Sequence, residues 1–356
     1  MCGNEALAEA AIIAGVDAYF GYPITPQNEI TAYMSRRMPE QGRVFVQCES
    51  ELAAINMVFG ASATGKRAMT TSSSPGISLM QEGISYLAGA ELPAVVVNVM
   101  RGGPGLGNIA PSQGDYFQAT RGGGHGDYRT IVLGPSSVQE LVDCMPLAFD
   151  LADQYRMTVL VLADGILGQM MAPVVLEKKP GRNLPAKDWA LTGADAREQH
   201  IVRSLWLQDG VLEDLNYKLQ KKYQQVQKNE VLCEQFAVDD AEIVVVAYGV
   251  AARIVRSAVN KARQRGIRAG WIRPLTLWPF PTEQISDAAE EFRLFLTVEM
   301  SLGQMVEDVR LAVAGRAPVV FYGRPAGGVP TVEEILEKIR QCSIPENRRL
   351  HRRLPI

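Results

Sequence analysis

Six short apolar runs constrain this chain more than any other feature. They are Val16–Phe20, Val44–Gln47, Ala68–Ser72, Ala94–Met100, Thr130–Leu133 and Thr158–Ala163. Most are apolar throughout rather than alternating, as expected of strands covered on both faces. Helix-like stretches lie between them at Gln27–Arg37, Glu51–Thr64, Ile77–Gly89 and Ser137–Gln154. Strand and helix alternating across short connections is the pattern of a parallel α/β sheet. The alternation stops at Arg101–Gly126, where nine glycines fall in 26 residues. A glycine-rich loop of that length inside a compact domain is usually functional.

From Glu177 the chain turns to Lys, Pro and Asn (EKKPGRNLPAKDW), which reads as a linker. Leu212, Leu215, Leu219, Tyr223 and Val226 then recur at three- and four-residue spacing among Lys218, Lys221, Lys222 and Lys228. This predicts one amphipathic helix, either connecting the two halves or docking a partner. A second α/β block begins at Glu242, where IVVVAYG (243–249) runs into AARIVRSAVNKARQRG. AGWIRP, LFLTVEM and VVFYGRP repeat the strand type. Its lone glycine at the first strand–helix turn is not GxGxxG, so a dinucleotide site has little support. The expected division is a first domain over 1–180, a linker with the helix over 181–240, a smaller α/β domain over 241–345 and a tail over 346–356.

Composition excludes several classes. At 356 residues with 47% hydrophobic and 21% charged residues, the chain can bury a large core, so disorder is a poor reading. A net charge of −3 gives no electrostatic case for nucleic acid or an anionic membrane. The longest apolar stretches, such as Leu92–Met100, fall far short of the ~18 residues of a membrane span. No basic flank precedes an apolar run at the N-terminus, so a soluble cytoplasmic protein is expected. Cys2, Cys48, Cys144, Cys233 and Cys342 form no CxxC, and His125, His200 and His351 are dispersed. A metal or iron–sulfur cluster held by this chain alone is not expected.

In an open parallel sheet, ligands bind beyond the carboxyl ends of the strands. After the first strand comes GYPITP, where two prolines stiffen a turn around Thr25. Thr25 is then either a presented hydroxyl or a helix N-cap. After the second, Glu49 and Glu51 stand at a strand-to-helix junction. They serve as helix-dipole partners, or one is a buried carboxylate exchanging a proton with a bound heterocycle. After the third comes TTSSSPG (70–76), whose small residues let a flat ligand approach the backbone. After the fourth, Arg101 emerges onto GGPGLG. Its fork suits a bidentate carboxylate, with a structural ion pair as the alternative. His125, in GGGHGD, reads as a spacer in a glycine turn.

The order YPITP, ESELAA, TTSSSPGISLM and ELPAVVVNVMRGGPG resembles the alpha subunit of 2-oxoacid:ferredoxin oxidoreductases, and IRPLTLWPFP (272–281) resembles that family's second domain. The resemblance implies a thiamine-diphosphate-binding (pyrimidine-type) parallel-sheet domain followed by a smaller transketolase-C-like α/β domain. It implies oxidative decarboxylation of a 2-oxoacid to acyl-CoA and CO2, with thiamine pyrophosphate as cofactor, coenzyme A as co-substrate and ferredoxin as electron acceptor. Glu51 matches the family glutamate that bonds N1′ of the aminopyrimidine, while Glu49 lies two residues too early. Thr25 and Arg101 match the groups that meet the substrate's carbonyl and carboxylate. Tyr22, Pro23, Ile24 and Ser74 are implied beside Glu51 against the cofactor.

Thiamine enzymes anchor diphosphate and Mg2+ with a Gly-Asp-Gly element, and Ala163-Asp164-Gly165 is only a poor approach to it. The resemblance therefore implies that Mg2+ and the [4Fe-4S] clusters belong to partners: a beta subunit, a gamma subunit and a ferredoxin-like delta subunit, in a dimer of heteromers. RGGPGLGNIAPSQGDYFQATRGGGHGDYR looks closer to the branched-chain (3-methyl-2-oxobutanoate) branch than to the 2-oxoglutarate branch, which usually shows RGGPSTG. Alternatives are a 2-oxoglutarate or pyruvate subunit, a transketolase-like transferase subunit, and a non-catalytic assembly subunit with vestigial strand-end residues.

Overall fold

A computed structural model describes residues 1–177, 180–195, 197–290 and 293–344. The expected tail over 346–356, with His351, lies outside them.

The strands are β1 (Ala18–Gly21), β2 (Val44–Gln47), β3 (Ala68–Ser72), β4 (Ala94–Met100), β5 (Ile131–Leu133), β6 (Thr158–Asp164), β7 (Cys233–Phe236), β8 (Ile243–Val246), β9 (Ala269–Pro274), β10 (Thr276–Trp278), β11 (Leu294–Glu299) and β12 (Val319–Gly323). The helices are α1 (Gly3–Ile13), α2 (Asn28–Glu40), α3 (Glu51–Ala63), α4 (Ser74–Gly89), α5 (Tyr116–Arg121), α6 (Val138–Tyr155), α7 (Gly165–Gln169), α8 (Val211–Asn229), α9 (Gly249–Gln264), α10 (Thr282–Asp287), α11 (Met305–Val313) and α12 (Val332–Ser343).

Two sheets form. One has the order β10-β5-β6-β4-β3-β1-β2, the other β12-β11-β8-β9-β7. The first is parallel except at β10, which runs antiparallel to β5. The second is parallel except at β7, which runs antiparallel to β9. Strand residues of β3, β4, β5 and β6 are buried throughout, as strands covered on both faces must be.

β9 and β10 belong to different sheets although only Leu275 separates them, so the IRPLTLW segment stitches the two sheets together. Arg273 reinforces the join. Its side chain is 1% exposed and pairs with Glu140 of α6 at 2.9 Å and Glu234 of β7 at 2.9 Å.

α8 answers the question left by its amphipathic pattern. Leu219, Tyr223 and Val226 are buried against this chain's own core. The Tyr223 ring meets Trp278 edge-on with centroids 5.9 Å apart. Lys222 and Lys218 both bind the Glu91 carboxylate, Lys222 at 2.9 Å. The helix connects and packs through Leu219, Tyr223 and Val226, while Leu212 in its first turn stays exposed.

Candidate functional site

Four neighbouring strands, in the order β4-β3-β1-β2, deliver the candidate residues at their carboxyl ends. Thr25 follows β1, Glu51 follows β2, Ser74 follows β3 and Arg101 follows β4. The first sheet therefore brings together at one edge what the sequence separates by 76 positions.

The Tyr22–Pro26 turn is held from several sides. Gln27, fully buried, donates from Nε2 to Tyr22 O at 3.1 Å and accepts from Thr71 Oγ1 at 2.6 Å. Asn4 and Gln169 both donate to Pro26 O, at 2.8 and 3.2 Å. Thr25 is not the cap of α2, whose N-cap position is Gln27; its hydroxyl instead accepts from Asn28 Nδ2 at 3.1 Å. Tyr22 and Pro23 are exposed and Ile24 is half-buried.

Glu51 and Glu49 separate cleanly. Ser50 caps α3, accepting from Ala53 N at 3.2 Å, which makes Glu51 the first helical residue. Glu51 is 4% exposed and Glu49 is exposed. Ser72 donates to Glu51 Oε1 at 3.3 Å, and no cation pairs with Glu51 among the described residues. A carboxylate that is buried, unpaired and only weakly bonded is one that a bound donor can use.

Arg101 has no carboxylate partner among the described residues, which removes the ion-pair alternative. Two neutral carbonyls hold its guanidinium: Nη1 donates to Thr25 O and Nη2 to Leu106 O, both at 3.0 Å. Its buried Nε has no partner. Ser74 stands behind it, its hydroxyl accepting Arg101 N–H at 3.0 Å and donating to Asp115 Oδ2 at 2.5 Å. Asn98 Nδ2 donates to the same Asp115 oxygen at 2.9 Å. Burial pushes the Asp115 carboxyl up from its ordinary range, and the Ser74 and Asn98 bonds partly offset this. The Ser74 hydroxyl is thus engaged within the protein.

Asp115, Asn98 and Gln27 were missed in the sequence. Asn98 carried a signal, as the one polar residue in AVVVNVM. The glycine-rich segment is also less irregular than it reads, because α5 forms inside it and packs on the second sheet's α11. Tyr116 donates to Asp308 at 2.7 Å, and Arg121 pairs with Glu307 and Asp308, both at 3.3 Å. His125 is exposed in the loop.

Asp164 is a helix cap. Its Oδ1 accepts from Ile166 N at 2.9 Å and Leu167 N at 3.2 Å. No group of three or more His, Cys, Asp or Glu among the described residues could hold a metal ion. No helix among them is long and apolar enough to cross a membrane.

The family model described as pyruvate flavodoxin/ferredoxin oxidoreductase, thiamine diP-bdg, matches residues 9–229, and that of pyruvate:ferredoxin oxidoreductase core domain II matches 241–335. The chain belongs to the 2-oxoacid:ferredoxin oxidoreductase family. It is 53% identical to the ketoisovalerate oxidoreductase subunit VorB of Methanothermobacter thermautotrophicus, covering 96% of this chain and 97% of that one. It is 39% identical to the 2-oxoglutarate synthase subunit KorA of Methanothermobacter marburgensis, covering 95% and 97%.

Among solved structures it is similar to the 2-oxoglutarate:ferredoxin oxidoreductase from Magnetococcus marinus with 2-oxoglutarate, coenzyme A and succinyl-CoA bound, at TM-score 0.83 and 26% identity. That match takes in 97% of this chain but only 65% of the other, so this chain spans somewhat under two thirds of its length. A split gene transketolase shares the fold at TM-score 0.59 and 14% identity, over 96% and 97% of the two chains. Family membership and the transketolase-like α/β fold expected from the motifs are both borne out. Its relatives are named as subunits, so the family oxidoreductase to which this chain contributes is an assembly.

Proposed function

We propose that this chain is the alpha subunit of an oxidoreductase that converts a branched-chain 2-oxoacid, 3-methyl-2-oxobutanoate, and coenzyme A to the acyl-CoA and CO2, passing the electron pair to ferredoxin. The observation that carries the reading is Arg101: a cation at the strand-end edge with no carboxylate partner among the described residues, held flat by two carbonyls beside Thr25. Such a group is preorganised for a substrate carboxylate.

The buried Glu51 and the small residues around it fit an aminopyrimidine ring. Gly76 faces Glu51 Oε1 and Ser72 Oγ so closely that a Cβ there would overlap both. When bound, thiamine pyrophosphate supplies the nucleophilic carbon and the electron sink for decarboxylation. Glu51 would share a proton with ring nitrogen N1′. Thr25 would meet the 2-oxo oxygen, and Arg101 would orient the carboxylate that leaves as CO2. Tyr22, Pro23 and Ile24 would line the cofactor side, with Ser74 supporting from behind.

The branched-chain assignment rests on the higher identity to the ketoisovalerate subunit than to the 2-oxoglutarate subunit. It also rests on Arg121 of the loop being paired with Glu307 and Asp308 rather than free for a second carboxylate. We assign Mg2+ and the [4Fe-4S] clusters to beta and ferredoxin-like delta subunits, joined by a gamma subunit in a cytoplasmic dimer of heteromers. Exposed apolar side chains that follow β1, β2 and β4 support a covering partner: Tyr22, Leu52, Leu106 and Ile109. The division into domains 1–180 and 241–345 about a linker is part of the same proposal.

The test is the rate of the enzyme purified with its partner subunits on 3-methyl-2-oxobutanoate, pyruvate and 2-oxoglutarate, with ferredoxin or a viologen as acceptor. Preference for the branched substrate is expected, and a clear preference for 2-oxoglutarate would overturn it. Calorimetry on the isolated chain should find weak thiamine pyrophosphate binding; tight Mg2+-dependent binding without partners would overturn the shared site.

A further inference from the structure

The glycine-rich loop is bolted to the second sheet at the residues flanking Asp115. Gln113, fully buried, exchanges both backbone and side-chain bonds with Met300, each at 2.9 Å, and donates from Nε2 to Tyr248 O at 2.9 Å. Gln304 closes on the other side, donating from Nε2 to Gly114 O at 2.6 Å and accepting from Phe117 N at 2.7 Å. Gln304 is itself placed by the buried Glu299 carboxylate, which accepts N–H groups from Gln304, Met305 and Val306 at the start of α11. Asp115 therefore sits between two glutamines fixed by the second sheet.

From Asp115 the chain of contacts runs back to the clamp. One carboxylate oxygen takes both Asn98 Nδ2 and Ser74 Oγ, and Ser74 Oγ takes the Arg101 N–H. Asp115 touches neither the Arg101 guanidinium nor any group assigned to substrate. It acts on the arginine's backbone, and so on where the guanidinium begins.

We propose that Asp115 is a positioning residue for the Arg101 carboxylate clamp, and that Gln304, the N-cap of α11 beyond the end of β11, sets its place. The second sheet, which bears none of the residues assigned to cofactor or substrate, thereby tunes how the first grips a 2-oxoacid. This rests on Arg101 as the carboxylate ligand. Because the relay needs an acceptor at one oxygen rather than a charge, an amide that turns its oxygen to Asn98 and Ser74 can stand in.

The test uses the assembled enzyme and reads KM against kcat. Asp115→Ala should raise the KM for the 2-oxoacid about tenfold with kcat within about threefold, since a buried hydrogen-bonded support is lost while the reacting groups stay. Asp115→Asn should restore most of the KM. Ser74→Ala should raise it as Asp115→Ala does, and Gln304→Ala should raise it about threefold from the far end of the relay. If Asp115→Ala does not assemble, Ser74→Ala and Gln304→Ala decide. An unmoved KM in those variants, or kcat falling in step with an Asp115→Asn that fails to rescue, overturns the relay. No turnover of any 2-oxoacid by the unaltered complex would instead strike the functional reading, whereas turnover with an unmoved KM strikes only this inference.

Discussion

Gly76 leaves the space that the Glu51 carboxylate fills. A Cβ at position 76 would overlap Glu51 Oε1 and Ser72 Oγ, both side-chain ends rather than backbone. Gly76→Ala should therefore move Glu51 more than it disturbs the fold. The expected stability loss is about 1 kcal/mol, at the low end of overpacking costs, because the neighbours can swing away. Turnover of the assembled enzyme should fall about tenfold or more, since a misplaced catalytic group costs far more than a misplaced structural one. Thermal melting together with steady-state rates checks both halves. A large melting loss with unchanged specific activity would contradict it.

Glu51→Gln should abolish most turnover while leaving folding and subunit association intact. The amide keeps the size but cannot share a proton with N1′, and such transfer is worth on the order of 10²–10⁴-fold. Glu49→Gln is the internal control, because Glu49 is exposed where Glu51 is buried. It should change the rate less than about twofold, as surface substitutions usually do. Exchange of the cofactor's C2 proton with solvent reports the same step without the electron acceptor.

The parallel sheet was legible because its strands are apolar on both faces, and β2, β3 and β4 fall where the runs predict them. α1 was not, since GNEALAEAAII is buried on nearly every side and shows no polar stripe to betray a period. β10 was hidden for another reason: three residues before the prolines of LWPFP pair with a strand more than 140 positions earlier. The candidate residues after each strand could be read from position alone, but not their support. Gln27, Asn98 and Asp115 act through side chains whose partners come from distant segments, and only the folded chain brings those together.

Arg101→Lys should raise the KM for the 2-oxoacid about tenfold to a hundredfold. Arginine is held by Thr25 O and Leu106 O at once, in a plane that an ammonium group cannot reproduce. Lysine keeps the charge, so any residual binding measures what charge alone contributes. Substrate titrations of both enzymes at equal ionic strength make the comparison. An unchanged KM would place the carboxylate elsewhere.

Asp164→Asn separates a structural carboxylate from a cofactor ligand through its pH dependence. Burial pushes the Asp164 carboxyl up to about 6, and the N–H groups of Ile166, Leu167 and Val250 keep it from rising further. A carboxyl raised in the folded state binds its proton more tightly there than in the unfolded chain. Its contribution to stability is thus fully present below the ordinary Asp value near 4 and is lost as pH rises through about 6. Asparagine caps helices as well as aspartate and carries no charge to desolvate. The variant should therefore match the unaltered chain at pH 4 and gain on it by pH 7, by on the order of 2 kcal/mol. Denaturant unfolding of the isolated chain across that range measures the difference. A variant uniformly less stable, with a gap that does not vary with pH, would mean that Asp164 is ionised in the fold throughout and holds α7 by its charge.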